Sequence, residues 1–223
     1  MEKHNMLPQH SWIDISQPLN SNTAHWPEDT PFSYEVSYSK EQTGSVNIGK
    51  ITTSTHIGTH IDAPFHFLDD GERVLDLDIN LYIGQCLVID VSPHLEIDDK
   101  ILSQFNLEGV TRLLIRTHIP NNPYSFPEQI PYITKRGADF LGEKGIKLIG
   151  VDVPSVDSLD SKNLEGHHAL HKNGIHILEN VMLDQLEVGE YELIALPLPI
   201  ELGDGSPVRA VVRPIYRSLV REG

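Results

Sequence analysis

Short stretches of apolar and β-branched residues recur along this chain, and they constrain its fold more than any other feature. Val46 to Asp62, Cys86 to Val91, Arg112 to Thr117, Lys147 to Val153, Tyr191 to Leu198 and Val208 to Ile215 alternate or run continuously apolar, as strands packed on a core do. Fewer segments have helical character. Asp98 to Phe105 follows an Asp-rich cap, Thr134 to Lys144 opens on a capping Thr and stops at Gly145, and Ser161 to Lys172 stops before Gly174. Strands outnumber helices and the two interleave, which predicts an α/β domain with a mixed sheet and flanking helices. The 223 residues contain no repeat and no dividing linker, so residues 1–223 are expected to form one domain. Asn121 to Pro131, with three prolines, reads as a surface loop, and Asp69-Asp70-Gly71 as a turn.

Composition narrows the partners. With 32 acidic residues against 17 basic ones the net charge is −15, which argues against binding a phosphate backbone. No run approaches the roughly 18 apolar residues of a membrane span. The opening M-E-K-H-N-M-L-P-Q-H-S-W lacks the apolar region of a secretory leader. The expected location is therefore the cytoplasm, with neither membrane nor nucleic acid as partner. The single cysteine, Cys86, lies in G-Q-C-L-V-I-D-V with no basic group near it in sequence, and reads as a core thiol rather than a nucleophile.

The chemistry concentrates in S-T-H-I-G-T-H-I-D-A-P-F-H-F, where His56, His60, Asp62 and His66 follow one another at offsets of zero, four, six and ten. Offsets of four put side chains together on a helix, and even offsets do so on a strand. Ile57, Gly58, Thr59 and Ile61 are poor helix formers and Pro64 follows at once, so a strand is the better reading. On it, His56, Gly58, His60 and Asp62 face one way, with Gly58 leaving room for an ion, while Ile57, Thr59 and Ile61 face the core. Two imidazoles and a carboxylate suit zinc, manganese or iron, and a carboxylate is able to bridge two ions. His66, beyond Pro64, is free of the alternation and reads as a proton shuttle rather than a ligand.

A second cluster, L-E-G-H-H-A-L-H-K-N-G-I-H-I-L-E-N, supplies His167, His168, His171, His176 and Glu179, more than one site needs. Spacing does not choose among them.

The run H-I-G-T-H-I-D-A-P-F-H-F resembles the H-x-G-T-H-x-D-x-P-x-H signature of the cyclase-like metal hydrolases, and within that family the chain is similar to the bacterial kynurenine formamidases. The likeness runs from Asp14-Ile15-Ser16 to Arg213 and includes W-P-E-D-T-P-F, V-D-V-P-S-V-D, Y-E-L-I-A-L-P-L and D-G-S-P-V-R-A. It implies the cyclase-like swivelling β/β/α fold, two zinc ions per subunit and a homodimer in which residues near Trp26 complete the neighbour's pocket. His56, His60 and Asp62 match the ligands of the first zinc. Asp62 would bridge to the second, whose other ligands match His167 and Glu179. His66 matches the family's acid/base, and Trp26 an aromatic residue of the substrate pocket. Two departures stand out: Glu28 occupies a position where the family usually has Gly, and Ser158 one where Pro is common.

The implied reaction is hydrolysis of N-formyl-L-kynurenine to L-kynurenine and formate, in tryptophan degradation. A metal lowers the pKa of bound water towards about 7 and polarises the formyl oxygen. His66, with an ordinary pKa of about 6.5, would move the proton to the aniline nitrogen. Competing readings are another small amide substrate with manganese in place of zinc, a non-haem iron oxygenase using His60, Asp62 and a distal histidine such as His118, and a metal-binding module without catalysis. Arg209 reads as a structural ion-pair partner rather than a site residue. The chain has no G-x-S-x-G, G-x-G-x-x-G or P-loop, so neither a serine hydrolase nor a nucleotide site has support.

Overall fold

Each apolar run predicted as a strand contributes one to a nine-stranded mixed sheet, except that the first run breaks in two. The computed structural model describes residues 11–215. The amino-terminal run read above for a leader lies outside the described residues, apart from Ser11 and Trp12. In chain order the strands are β1 (Ile13–Asp14), β2 (Ser33–Tyr38), β3 (Ile48–Thr52), β4 (His60–Asp62), β5 (Ile83–Asp90), β6 (Glu96–Ile97), β7 (Arg112–Arg116), β8 (Tyr132–Ile133), β9 (Leu148–Val151), β10 (His176–Glu179), β11 (Gly189–Ile194), β12 (Gly205–Pro207) and β13 (Val211–Pro214). The helices are α1 (Lys40–Thr43), α2 (Asp99–Leu102), α3 (Lys135–Glu143) and α4 (Glu165–Lys172).

The large sheet runs β1-β13-β11-β5-β7-β9-β10-β4-β12. Its centre, β5-β7-β9-β10, is parallel, and the strands on both sides pair antiparallel. Alternation divides the side chains between two cores, as the pleat requires. Leu113, Ile115, Ile149, Val151 and Ile177 face one cluster, with Ala138 and Leu141 of α3 and Ala169 and Leu170 of α4. Leu114, Leu148, Leu178 and Ile61 face the other, which is covered by Tyr82, Val181 and Leu183 rather than by α-helices. Cys86 belongs to this second core, and burial pushes its thiol up to about 12.

Local chemistry sets the helix limits. The Asp98 carboxylate accepts from the Lys100 and Ile101 amides at 3.0 Å each, and Thr134 Oγ1 accepts from Gly137 N–H at 3.1 Å. The last helix starts at Glu165, four residues later than Ser161. Leu164 stands before it in a left-handed conformation (φ 46°) with no side-chain cap, and the acceptor for its first amides comes from elsewhere in the chain.

The expected strand Val46 to Asp62 is corrected by the backbone. β3 ends at Thr52 and β4 begins only at His60, and the turn between them passes through Gly58 at φ +59°. His56 therefore does not share a strand face with His60. Gly58 is not a spacer between imidazoles either: a Cβ there would meet Leu19 Cδ2 at 2.6 Å. β3, within the predicted run, pairs instead with β2 in a separate antiparallel hairpin.

Candidate metal centre

β4 lies between β10 and β12, and the register decides what its side chains meet. His60 stands opposite Glu179 of β10, and Asp62 opposite Ile177. Cross-strand partners share a face, so His60, Asp62 and Glu179 all point to the side that α4 covers. From α4 comes His167, one helical turn inside the cap. His56, on the turn before β4, reaches the same spot from the sheet's edge. All five are buried, His56 least so at 9% exposed and the others at 3% or less.

Distances centre the group on Asp62. Its Oδ1 lies 2.9 Å from His56 Nδ1 and 3.5 Å from His60 Nε2, and its Oδ2 lies 3.3 Å from His167 Nε2. Glu179 Oε2 is 3.4 Å from His60 Nε2 and Oε1 is 3.8 Å from His167 Nε2. Two sets of ligand atoms share Asp62, His56-His60-Asp62 and Asp62-His167-Glu179, and a third, His56-His66-Asp204, lies beside them, each with its atoms within 4.8 Å of one another.

The sequence tunes each donor. Gly58 O accepts from His60 Nδ1 at 2.8 Å, so this nitrogen carries the proton and Nε2 keeps its lone pair. Nε2 is buried without a hydrogen-bond partner, and burial lowers the imidazole pKa to about 4. A neutral ring with an orphaned, inward nitrogen is the form a divalent cation binds. Asp157 Oδ2 stands 2.6 Å from His167 Nδ1 and orients its Nε2 towards Asp62. Burial opposes protonation of His56 and His167, but the carboxylates of Asp204 and Asp62 for the first, and of Asp157 and Asp62 for the second, outweigh it and hold each at about 10. Burial and the neighbouring Asp62 charge push Glu179 up; Asp62 itself is held well below the ordinary range, because His167 and His56 overcome its burial. Carboxylates and imidazoles packed this densely away from water suit a cation, which competes with protons for the same atoms.

His66 ends a single 3-10 turn, Pro64–His66. Its ring centroid is 3.8 Å from that of His56, and its side chain is 34% exposed. It lines a cavity of about 270 Å³ with Trp26, His56, His60, His167 and Glu179. Trp26 packs edge-on against Phe126 at 5.1 Å.

The other histidines stand apart. His168 and His171 are exposed beside Phe67, His176 lies 3.4 Å from Tyr82 Oη, and His118 is exposed beyond β7 and in none of the ligand clusters. Arg209 pairs with Asp14 at 2.5 Å. Ser158 lines the same cavity as His66. Glu28 is explained by its turn: Asp29 N–H donates to Trp26 O at 3.1 Å, and Glu28 sits at φ +71°, the conformation that favours Gly after Pro in such turns.

Sequence reasoning missed Asp157 and Asp204. Asp204 Oδ2 is 3.2 Å from His56 Nε2 and 3.8 Å from His66 Nδ1, and its Oδ1 accepts from Thr55 Oγ1 at 2.8 Å. Both lie in segments quoted for the resemblance, V-D-V-P-S-V-D and D-G-S-P, but neither has a spacing that marks a partner for histidine. Gly205 beside Asp204 makes room for His56, since a Cβ there would meet its Cε1 at 2.6 Å.

Residues 13–158 match the family described as putative cyclase. The chain is 64% identical over 204 residues to the kynurenine formamidase of Bacillus cereus, covering 92% of this chain and 98% of that protein, and 62% identical over the same shares to that of Bacillus cytotoxicus. Among solved structures, a potential metal-dependent hydrolase with cyclase activity superposes with a TM-score of 0.79 at 21% identity, covering 93% of this chain and all of the other. Isatin hydrolase A from Labrenzia aggregata does so with 0.78 at 22%, covering 92% and 94%. These two share the fold. The matched span and the high identity together make this chain a member of the putative cyclase family, alongside its kynurenine formamidases.

Proposed function

We propose that the protein is a metal-dependent arylformamidase that hydrolyses N-formyl-L-kynurenine to L-kynurenine and formate. The observation that carries this is the buried convergence of His56, His60, His167 and Glu179 on Asp62, with His60 Nε2 left unpartnered. Identity of 64% to a kynurenine formamidase supports the substrate. On this reading His56, His60 and Asp62 hold one zinc, and Asp62, His167 and Glu179 a second, with manganese the alternative. Such ions, when bound, acidify water and polarise the formyl oxygen.

The chain's own residues supply the rest. His66 takes a proton from the attacking water and delivers it to the aniline nitrogen, a poor leaving group until protonated. Burial holds His66 below the usual imidazole range, so near neutral pH it is a free base ready to accept. Asp204, 3.8 Å from its Nδ1, places a negative charge beside it. Trp26, which lines the cavity beside His66 and is held edge-on by Phe126, offers the aryl ring an apolar face.

The finer context belongs to the same reading: one domain over residues 1–223, and a homodimer. Dimerisation is supported by the β2–β3 hairpin, which exposes Tyr34, Val36, Tyr38, Ile48 and Ile51 by 47–60%. No helix among the described residues is long and apolar enough to cross a membrane, and the lone buried Cys86 fits a cytoplasmic setting. The test is direct: purified protein given N-formyl-L-kynurenine should release L-kynurenine and formate. Failure with that compound, alongside turnover of a different small amide, would overturn the substrate.

A further inference from the structure

A second cavity, of about 200 Å³, adjoins the metal-facing one, and Trp26, His56 and Pro154 line both. Its chemistry differs. Apart from the shared residues its wall combines apolar groups with five neutral polar side chains, Gln17, Asn121 and Asn180 among them, one imidazole from His25 and one acidic side chain, Asp152. None of the described residues lining it is a lysine or arginine.

Asp152 directly follows β9 and is 3% exposed. Its Oδ2 accepts from Thr117 N–H at 2.8 Å, whereas its Oδ1 is buried without a hydrogen-bond partner. An unpaired buried carboxylate oxygen is costly to keep. Nothing in the proposed proton path uses it. Burial pushes the carboxyl up to about 7, so a cation arriving beside it would restore its ionisation.

The surroundings hold the residue firmly. Asn121 Nδ2 donates to Asp152 O at 3.2 Å, and Asn121 Oδ1 accepts from Leu183 N–H at 2.7 Å. Ala24 N–H donates to Pro123 O at 2.7 Å, tying the Trp26 segment to the loop opposite. Asn180, next after Glu179 in the chain, is in the left-handed region at φ +56°.

We propose that Asp152 is a specificity-determining residue that receives the α-ammonium group of an amino-acid substrate, in a subsite contiguous with the metal-facing cavity at Trp26 and His56. The proposal rests on the formamidase reading. An N-formyl aryl amino acid has a formanilide at one end and an ammonium-bearing head at the other, and the two adjoining cavities offer one environment to each. A lone carboxylate among neutral amides selects the cation. The head's carboxylate is left to the amide donors.

The experiment compares N-formyl-L-kynurenine with the analogue in which hydrogen replaces the α-amino group, using the metal-loaded protein. The wild type should show a KM lower by roughly 10- to 100-fold for the amine-bearing compound, the range of a hydrogen bond to a charged group. Asp152→Asn keeps an acceptor for Thr117 N–H, and should erase that difference while leaving kcat and the analogue's KM unchanged. Binding of L-kynurenine, followed by calorimetry, should weaken by the same factor. Asp152→Ser provides a second variant, and the wild-type comparison requires no variant. Equal KM values in the wild type, or discrimination that survives both substitutions, would overturn the proposal while the formamidase reading stands. If the wild type hydrolyses neither compound, that reading falls and the subsite with it.

Discussion

Replacing Asp157 by asparagine changes one atom and one charge, yet it touches an imidazole proposed to hold metal and a helix terminus together. The Asp157 carboxylate accepts from Gly166 N–H at 2.7 Å and from His167 N–H at 3.0 Å, and its Oδ2 is 2.6 Å from His167 Nδ1. It is the side chain that caps α4, because Leu164 at the cap position has none to offer. Asparagine retains one acceptor oxygen and turns an NH₂ group towards the His167 donors. The lost charge-assisted hydrogen bond is worth about 1.5–3 kcal/mol, and the lost negative charge at the helix N-terminus about 0.3–1 kcal/mol. Together these lower Tm by roughly 5–15 °C. The part that orients His167 should appear separately, as metal affinity weakened by roughly 10- to 100-fold. Competition with a chromophoric chelator measures the affinity and a thermal melt the stability. A variant with lowered Tm and unchanged metal affinity would mean that Asp157 only caps the helix. Unchanged values for both would refute the assignment altogether.

His66→Ala should keep its metal and lose about 100- to 10,000-fold in turnover, the contribution of a positioned acid/base; full activity, or lost metal, would contradict the role. Glu28→Gly should raise stability by about 1 kcal/mol, by relieving a left-handed non-glycine residue, and a melt showing a lower Tm would count against the turn assignment. Asp152 should make stability fall as pH rises. Its carboxyl titrates at about 7 when folded against an ordinary 3.8, so between those values the folded chain holds a proton that the unfolded chain has released. The corresponding loss is complete above about pH 7 and amounts to roughly 4 kcal/mol. Denaturant titrations at several pH values should show that slope flattened in Asp152→Asn; an unchanged slope would refute it.

The strands of the sheet's centre were legible because continuous apolar runs such as Leu113–Ile115 and Leu148–Val151 have both faces buried and few other ways to be satisfied. The β2–β3 hairpin was legible only in part: β3 falls within the run Val46 to Asp62, and Tyr34, Val36 and Tyr38 of β2 alternate with polar residues, but both strands are exposed on both faces, so no buried face fixes their pairing. The histidine run pointed correctly to one locality but gave the wrong local geometry. Ile57, Thr59 and Ile61 are buried as a strand would have them, so the burial pattern conceals the turn at Gly58. The pairing of His60 with Glu179 is a register between strands more than a hundred residues apart. Without the family resemblance, nothing in either segment alone selects Glu179 or His167 from their neighbours. Asp157 and Asp204 act through tertiary contacts alone, and an aspartate in a loop has the same appearance whether it orients a histidine or caps a turn.

The most direct test is a metal count made on the same sample as the activity. Purified protein should carry two divalent ions per chain, lose N-formyl-L-kynurenine hydrolysis when a chelator removes them, and regain it when zinc is returned. Asp62→Asn, which alters the carboxylate common to both ligand sets, should lose both ions and the activity together. Full turnover by protein stripped of metal would contradict the account at its centre.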